Sequence, residues 1–454
     1  MQREKLSGRL GFILLSAGCA IGLGNVYRFP IITGAYGGAV FVIIYLAFLV
    51  LLGLPVMCCE LAVGRASQRS IASSFEQLEK KGQKWHLMKY LGIAGNYILM
   101  MFYTTITGWF VMYMYKFMSG SIMTAKDPVG EFVGMISDVP LNVILTAAVI
   151  AVGFLVCALG LQKGVERITK VMMASLFLLM LGLSVYSLTL SGAREGLSFY
   201  LVPSLDSIER FGLWTVISAA MGQAFFTLSL GIGCIAIFGS YIGKERSLLG
   251  EGVTIIALDT MVALISGLII FPAFFTANPG AVIDPGSAGA GFLFMTLSGI
   301  FTGMRIGRVL GSFFFLFMVF AAMSTVIAVF ENIVSFWIEL TGMKRTGICL
   351  VNIVLLLALT MPFVLSNGGG AFSRIMLLGR NIGDFEDFLV SNLALPVGSL
   401  VYVLFCTSRY GWGWDSFMEE MNSGRGAKLS SGMKVYMSYI LPMIILTILV
   451  MSLV

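Results

Sequence analysis

Residues 19–30 read CAIGLGNVYRFP, inside the first long apolar run of the chain. Gly22-Leu23-Gly24, Asn25 and Arg28 stand there where a membrane span should have a smooth helix. Glycine weakens a helix by about 1 kcal/mol relative to alanine and tolerates backbone angles that other residues avoid. Non-helical backbone survives at membrane depth only where it lines a cavity or is buried in protein. The stretch therefore predicts a broken helix at a binding site. Freed carbonyls there can coordinate cations, and half-helix N-termini attract carboxylates. As a phosphate loop the stretch fails, because it lacks the strand-turn-helix context and the Lys-Ser/Thr ending.

The surrounding chain reads as a polytopic α-helical membrane protein. Its 454 residues are 58% hydrophobic and 11% charged, with mean hydropathy +0.94. A soluble protein carries about a quarter charged residues, and too little polar surface remains here to cover an apolar core. Apolar runs predict eleven spans, near 10–34, 39–63, 90–117, 141–160, 168–190, 213–241, 252–275, 306–340, 347–366, 383–406 and 433–453. With the N-terminus inside, the cytoplasmic segments hold 20 Lys and Arg and the outer segments 8, Arg28 lying within span 1. That bias orients the chain with a cytoplasmic N-terminus and, for an odd span count, an outer C-terminus in the cell membrane. The apolar start is too long for a signal peptide, and no A-x-A site closes it, so it reads as a retained span.

Other chemistries find no footing. The seven cysteines all fall in apolar runs without a Cys-x-x-Cys pair, and the only histidine, His86, sits in a polar loop. Neither a disulfide framework nor a zinc or histidine-based catalytic centre is expected. No nucleophile with an acid–base partner appears, so an embedded enzyme is not expected, nor an organic cofactor. The net charge of +6 is explained by the loop bias and implies no nucleic-acid partner. The long Gly- and Pro-rich segment 276–304 has an apolar second half, which suggests an outer hairpin that caps something.

Span 6 echoes span 1. FFTLSLGIG, residues 225–233, carries Gly231-Ile232-Gly233 at mid-span. Alone, either glycine pair fits close helix packing through small residues. Two such pairs, five spans apart, instead suggest two five-span repeats, and an odd number of spans per repeat inverts the second copy. The division expected is 1–190 for the first repeat, 211–406 for the second including the outer hairpin, and 433–454 for an extra helix.

GLGNVYRFP, followed by GGAVF at 37–41, GLPVMCCELAVGR at 53–65, AFFTLSLGIG at 224–233, FAAMSTVIA at 320–328 and DFEDFL at 384–389, resembles the neurotransmitter:sodium symporter family in its bacterial amino-acid-transporter branch. The resemblance spans almost the whole chain. It implies an all-α fold of two inverted five-helix repeats with helices 1 and 6 broken. It also implies two sodium sites. One would use the Ala20 carbonyl, Asn25, Thr227 and Asp259 with the substrate's carboxylate. The other would use carbonyls of Gly18, Ile21 and Ala321 with the hydroxyls of Ser324 and Thr325. Hard cations want such oxygen ligands, although Ser and Thr in a span also bond back to their own helix. Asp259 departs from the family's usual asparagine. With Ala263 four residues on, Asp259 is expected to supply the negative charge at the first sodium, so that chloride is not needed. A carboxylate in a span is costly and points to function.

The resemblance also places the substrate. Amine-transporting members carry an aspartate where this chain has Gly22, so an α-amino acid bringing its own carboxylate is implied. Its amino and carboxyl groups would meet Cys19, Ala20, Gly22, Gly24 and Thr227, with Tyr103 on the carboxylate. Its side chain would face Leu99, Ile106, Phe226, Ser229, Ile232, Thr325 and Val329, an uncharged lining that suits a hydrophobic or aromatic amino acid. Arg28 with Asp387 would latch the outer side, and Arg3 with Glu339 the inner side, weakened because Leu6 stands where the family has Trp. Glu60 is expected to support the unwound part of span 6. The expected function is sodium-coupled amino-acid uptake by alternating access within a lipid membrane. The alternative is an amino-acid sensor or channel-like protein on the same fold.

Overall fold

The computed structural model describes residues 6–125, 127–204, 206–281, 291, 293–369 and 372–453. Among them, nine helices are long and apolar enough to cross a membrane: Ala39–Ser67, Trp85–Ser119, Val139–Ala158, Leu161–Ser187, Leu248–Ala277, Gly307–Thr341, Arg345–Gly369, Ile382–Thr407 and Ser431–Ser452. These are spans 2–5 and 7–11. Span 1 is a bent pair, Arg9–Ala20 and Gly24–Ala35, whose halves meet at 51°. Span 6 is split into Leu213–Thr227 and Cys234–Gly239 by six non-helical residues, 228–233. The all-α fold with broken helices 1 and 6 is thus present.

Burial sorts the spans into a core and a shell. The apolar stretch of span 8 is 78% buried and that of span 3 is 67%, against 28% for span 11 and 33% for span 5. Spans 3 and 8 pack along each other, and span 1 lies on spans 5, 7 and 8. The polar residues Asn25, Thr227, Asp259 and Ser324 sit in this centre with no exposure.

Three differences from the sequence expectation have physical causes. Span 5 begins at Leu161, not near 168, with a π-helical turn over Leu161–Glu166. Its polar start reads as loop, yet Glu166 is buried and partnered within the fold. Short helices at Pro128–Ser137, Ala193–Leu201 and Trp414–Met421 lie outside the spans and are too brief for a hydropathy reading to find. Of the 276–304 segment, residues 282–290 and 292 lie outside the described residues. Leu293–Thr302 is helical, and Phe294 stacks on Phe110 at 4.7 Å and on Phe132 at 5.1 Å.

Candidate functional site: a cavity and two oxygen clusters at the helix breaks

The break in span 1 follows from Ile21, whose extended backbone (φ −72°, ψ 96°) leaves the helix after Ala20. The N–H groups this frees are satisfied by side chains. Gly22 donates to Asn25 Oδ1 at 3.1 Å, and Leu23 to the Tyr103 hydroxyl at 2.9 Å. In span 6, Ser229 takes a left-handed conformation (φ 51°), followed by Gly231 (φ 94°) and Gly233 (φ 79°). A non-glycine residue there costs of order 1–3 kcal/mol and marks functional sites. Gly231 is required twice, because a Cβ would also strike the Leu395 carbonyl of span 10. Buried Glu60 in span 2 accepts from the freed N–H of Gly231 and from Ala236 N–H at 3.3 Å. The two breaks touch: a Cβ on Gly24 would lie 3.1 Å from Thr227 Cα, and the Gln223 amide donates to the Gly24 carbonyl at 2.7 Å.

Between the breaks lies a small cavity lined by Ala20, Gly22, Gly24, Leu99, Tyr103, Phe226, Ser229, Thr325, Val390 and Leu395. Its volume of about 10 Å³ holds roughly one water, so the site is contracted and its side chains must swing to admit an amino acid. Cys19, Ile106, Thr227, Ile232 and Val329 stand outside this wall; the Ile232 side chain packs on Gly95, where a Cβ would come within 2.7 Å of it. Val390 and Leu395 were missed from the sequence. A π-helical turn over Leu389–Ala394 sets both on the wall, and nothing in LVSNLALP signals that turn.

The first oxygen cluster joins spans 1, 6 and 7. Asn25 Nδ2 donates to Asp259 Oδ1 at 2.8 Å and to the Asp259 carbonyl at 3.0 Å, while the Thr227 hydroxyl donates to Asp259 Oδ2 at 3.3 Å. In this geometry the amide nitrogen of Asn25 faces the carboxylate. A cation there requires the amide to turn its oxygen inward. Ala263 brings no further charge, but its carbonyl and that of Asn25 accept from Ser266, at 2.7 and 2.8 Å.

The second cluster joins spans 1 and 8 and contains no carboxylate. Ser324 Oγ lies 2.9 Å from the Ala321 carbonyl and 3.3 Å from that of Ile21. Thr325 Oγ1 lies 3.3 Å from the Gly18 carbonyl and 3.4 Å from those of Cys19 and Ile21. The break in span 1 supplies the carbonyls of Gly18, Cys19 and Ile21, since no helical N–H follows to claim them, while that of Ala321 belongs to the continuous helix of span 8. Such a neutral cage of hydroxyls and carbonyls suits a hard monovalent cation. Among the described residues no group of three or more His, Cys, Asp or Glu gathers anywhere that could hold a metal.

At one end of the cavity, Arg28 Nη1 meets Asp387 at 3.3 Å and the Ser391 hydroxyl at 2.8 Å. Its guanidinium lies 4.2 Å over the Phe226 ring and so lids the cavity. Far from the cavity, about four turns along span 8 from Thr325, Glu339 accepts from Ser70 N–H at 2.8 Å and from the Ser73 hydroxyl at 2.7 Å, while Arg3, its expected partner, lies outside the described residues.

Comparison with known proteins follows the same lines. A family model described as the sodium:neurotransmitter symporter family matches residues 3–126 and 131–454. YhdH, a sodium-dependent transporter of Bacillus subtilis, is 32% identical over 423 residues, which cover 93% of this chain and 91% of YhdH. A sodium-dependent transporter of Haemophilus influenzae is 28% identical over 474 residues, covering 100% of this chain and 98% of its own. The crystal structure of MhsT in complex with L-phenylalanine matches with a TM-score of 0.88 at 34% identity, covering 99% of this chain and 100% of MhsT. The chain belongs to the sodium:neurotransmitter symporter family, and is a sodium-dependent transporter of the membrane rather than an enzyme.

Proposed function

We propose that this protein is a symporter that takes up hydrophobic or aromatic α-amino acids with sodium, without a need for chloride. The observation that carries the substrate class is the wall at Gly22. A Cβ there would run into Thr325 Oγ1 and come within 2.5 Å of Tyr103 Oη, so no side-chain carboxylate fits at this position. The substrate must bring its own, and Tyr103, whose oxygen accepts from Leu23 N–H, keeps its own O–H to donate. The rest of the wall is uncharged and largely apolar. A neighbour of the same fold holding L-phenylalanine supports the same reading.

The two oxygen clusters support two sodium sites. A substrate carboxylate between Tyr103 and the first cluster would complete the ligands of a sodium at Asn25, Thr227 and Asp259. Sodium and substrate would then bind together and shift the population of states through one shared contact. The buried Asp259 carboxylate supports chloride independence, because it places a fixed negative charge where an anion would otherwise serve. We orient the chain with the Arg28 end outside and the N-terminus in the cytoplasm, following the bias of Lys and Arg along the loops. Each sodium that enters then gains about 2.3 kcal/mol per 100 mV of membrane potential.

The test is uptake of radiolabelled amino acids into proteoliposomes, with an inward sodium gradient or potassium in its place, each with chloride or gluconate. Accumulation of phenylalanine, leucine or tryptophan only with sodium, in either anion, is expected. Sodium-dependent binding without accumulation would make the protein a sensor. Uptake confined to charged or β-amino acids would overturn the substrate class.

A further inference from the structure

The start of span 1 is held by a carboxylate that the transport scheme above does not use. Glu166 closes the π-helical turn at the head of span 5, and its side chain is 2% exposed. It accepts from the backbone N–H of Ser7 at 2.9 Å and from the Ser7 hydroxyl. It also accepts from the Lys170 ammonium at 2.6 Å, which reaches Ser7 Oγ at 3.1 Å. Gly11 makes room for this contact, since a Cβ there would overlap Glu166 Oε1. Ser7 precedes the helix Arg9–Ala20, so its N–H has no helical acceptor and is free to donate sideways. One turn beyond Glu166, Thr169 Cγ2 lies 3.0 Å from where a Gly18 Cβ would stand, and the Gly18 carbonyl belongs to the second oxygen cluster. Span 5 thus grips span 1 at both its first turn and its break.

We propose that Glu166 is an inner latch for span 1, a positioning residue that holds Ser7 while the cytoplasmic side is closed and lets it go when that side opens. The proposal rests on the alternating-access reading. Lys170 is what makes release feasible. When Ser7 leaves, Glu166 keeps its ammonium partner and is not left as a buried unpaired charge, which would be strongly unfavourable. Opening therefore breaks hydrogen bonds to Ser7 but leaves the ion pair intact. Arg9, two residues on, meets Glu251 of span 7 at 2.9 Å and ties the same segment from another side.

The test is accessibility of a single introduced thiol. Ile242 lines a crevice of about 340 Å³ with Leu6, Arg9 and Phe12, and all seven native cysteines are buried. In an Ile242→Cys background reconstituted with sodium, a membrane-impermeant thiol reagent is applied from the cytoplasmic side. Glu166→Ala removes the acceptor of both Ser7 bonds and should raise the labelling rate about ten- to a hundredfold, the scale of hydrogen bonds lost from a charged group, while Ser7→Ala loses only the hydroxyl bond and should raise it less, about three- to tenfold. The double variant should label no faster than Glu166→Ala, because the bond lost in Ser7→Ala is one of the two that Glu166→Ala removes. Glu166→Gln, which keeps an oxygen for Ser7, should stay closer to the parent than Glu166→Ala does. If Glu166→Ala does not fold, Ser7→Ala and Glu166→Gln carry the test. Labelling unchanged in Ser7→Ala, or additive effects in the double variant, would overturn the latch. Labelling needs no substrate, so failure of the substrate assignment shows separately, in uptake by the parent.

Discussion

Asp259→Asn separates charge from architecture at the first oxygen cluster. The carboxylate now receives Asn25 Nδ2 on one oxygen at 2.8 Å and the Thr227 hydroxyl on the other at 3.3 Å. An asparagine can keep both contacts: its oxygen accepts from Asn25, and its amide donates to Thr227, whose hydroxyl turns to accept. The fold should therefore persist while one buried negative charge is lost. A unit charge about 4 Å from a sodium, at an effective dielectric near 20, is worth about 4 kcal/mol. The amide dipole returns part of this, so the half-saturating sodium concentration should rise by about ten- to a thousandfold. The assay is phenylalanine uptake titrated with sodium, in chloride and in gluconate. Chloride should stimulate the variant and leave the parent unaffected. A variant with sodium dependence within about threefold of the parent and no chloride effect would refute a role for this charge in binding sodium.

Gly22→Ala should weaken substrate binding by about ten- to a hundredfold, because the added methyl overlaps Thr325 Oγ1 and Tyr103 Oη and overpacking of this kind costs about 1–3 kcal/mol; equilibrium binding of labelled substrate checks it, and unchanged affinity would remove the cavity between the breaks from the binding site. Glu60→Gln sets an amide N–H against the N–H of Gly231 or Ala236, which costs about 1–3 kcal/mol. It should lower the melting temperature in detergent and slow uptake, whereas a variant as stable and active as the parent would show that the unwound segment of span 6 does not lean on this carboxylate.

The sequence made legible what depends on composition and on punctuation. Hydropathy marks the spans because lipid leaves the backbone few alternatives to helix. In span 6 the glycine pair marks the break because the left-handed angles at Gly231 and Gly233 exclude most other residues, whereas in span 1 it does so because a Cβ on Gly22 or Gly24 would crowd Thr325 and Tyr103 or Thr227. What escaped was polarity that the fold compensates. Glu166 reads as loop beside Lys163 and Arg167, yet it is sealed between Ser7 and Lys170. Buried Arg65 likewise looks like a span-ending charge, but it bonds Glu420 at 2.5 Å and the Arg246 carbonyl at 2.7 Å. Ser7, Arg246 and Glu420 each lie more than a hundred residues from the group they meet and leave no local pattern, and Lys170, four residues from Glu166, looks like an ordinary surface pair. Val390 and Leu395 escaped for a different reason, since a π-helical turn shifts which residues share a face without changing composition.

The contact between the two breaks bears on how sodium and substrate are coupled. Gly24 closes on Thr227, and Gln223 holds the Gly24 carbonyl, so the half-helices Gly24–Ala35 and Leu213–Thr227 cannot shift independently near the cavity. Asn25 and Thr227 ride on these two segments, and both bond to Asp259 on span 7, a long unbroken helix. A ligand that draws Asn25 and Thr227 toward Asp259 therefore draws both half-helices toward one fixed point. Arg28 rides on the same half of span 1 as Asn25, and Phe226 adjoins Thr227, so the lid over the cavity moves with the cluster beneath it. Coupling of this kind needs no distant pathway. It follows from two helices broken at adjoining positions, each carrying on one short segment both a proposed sodium ligand and half of the proposed gate.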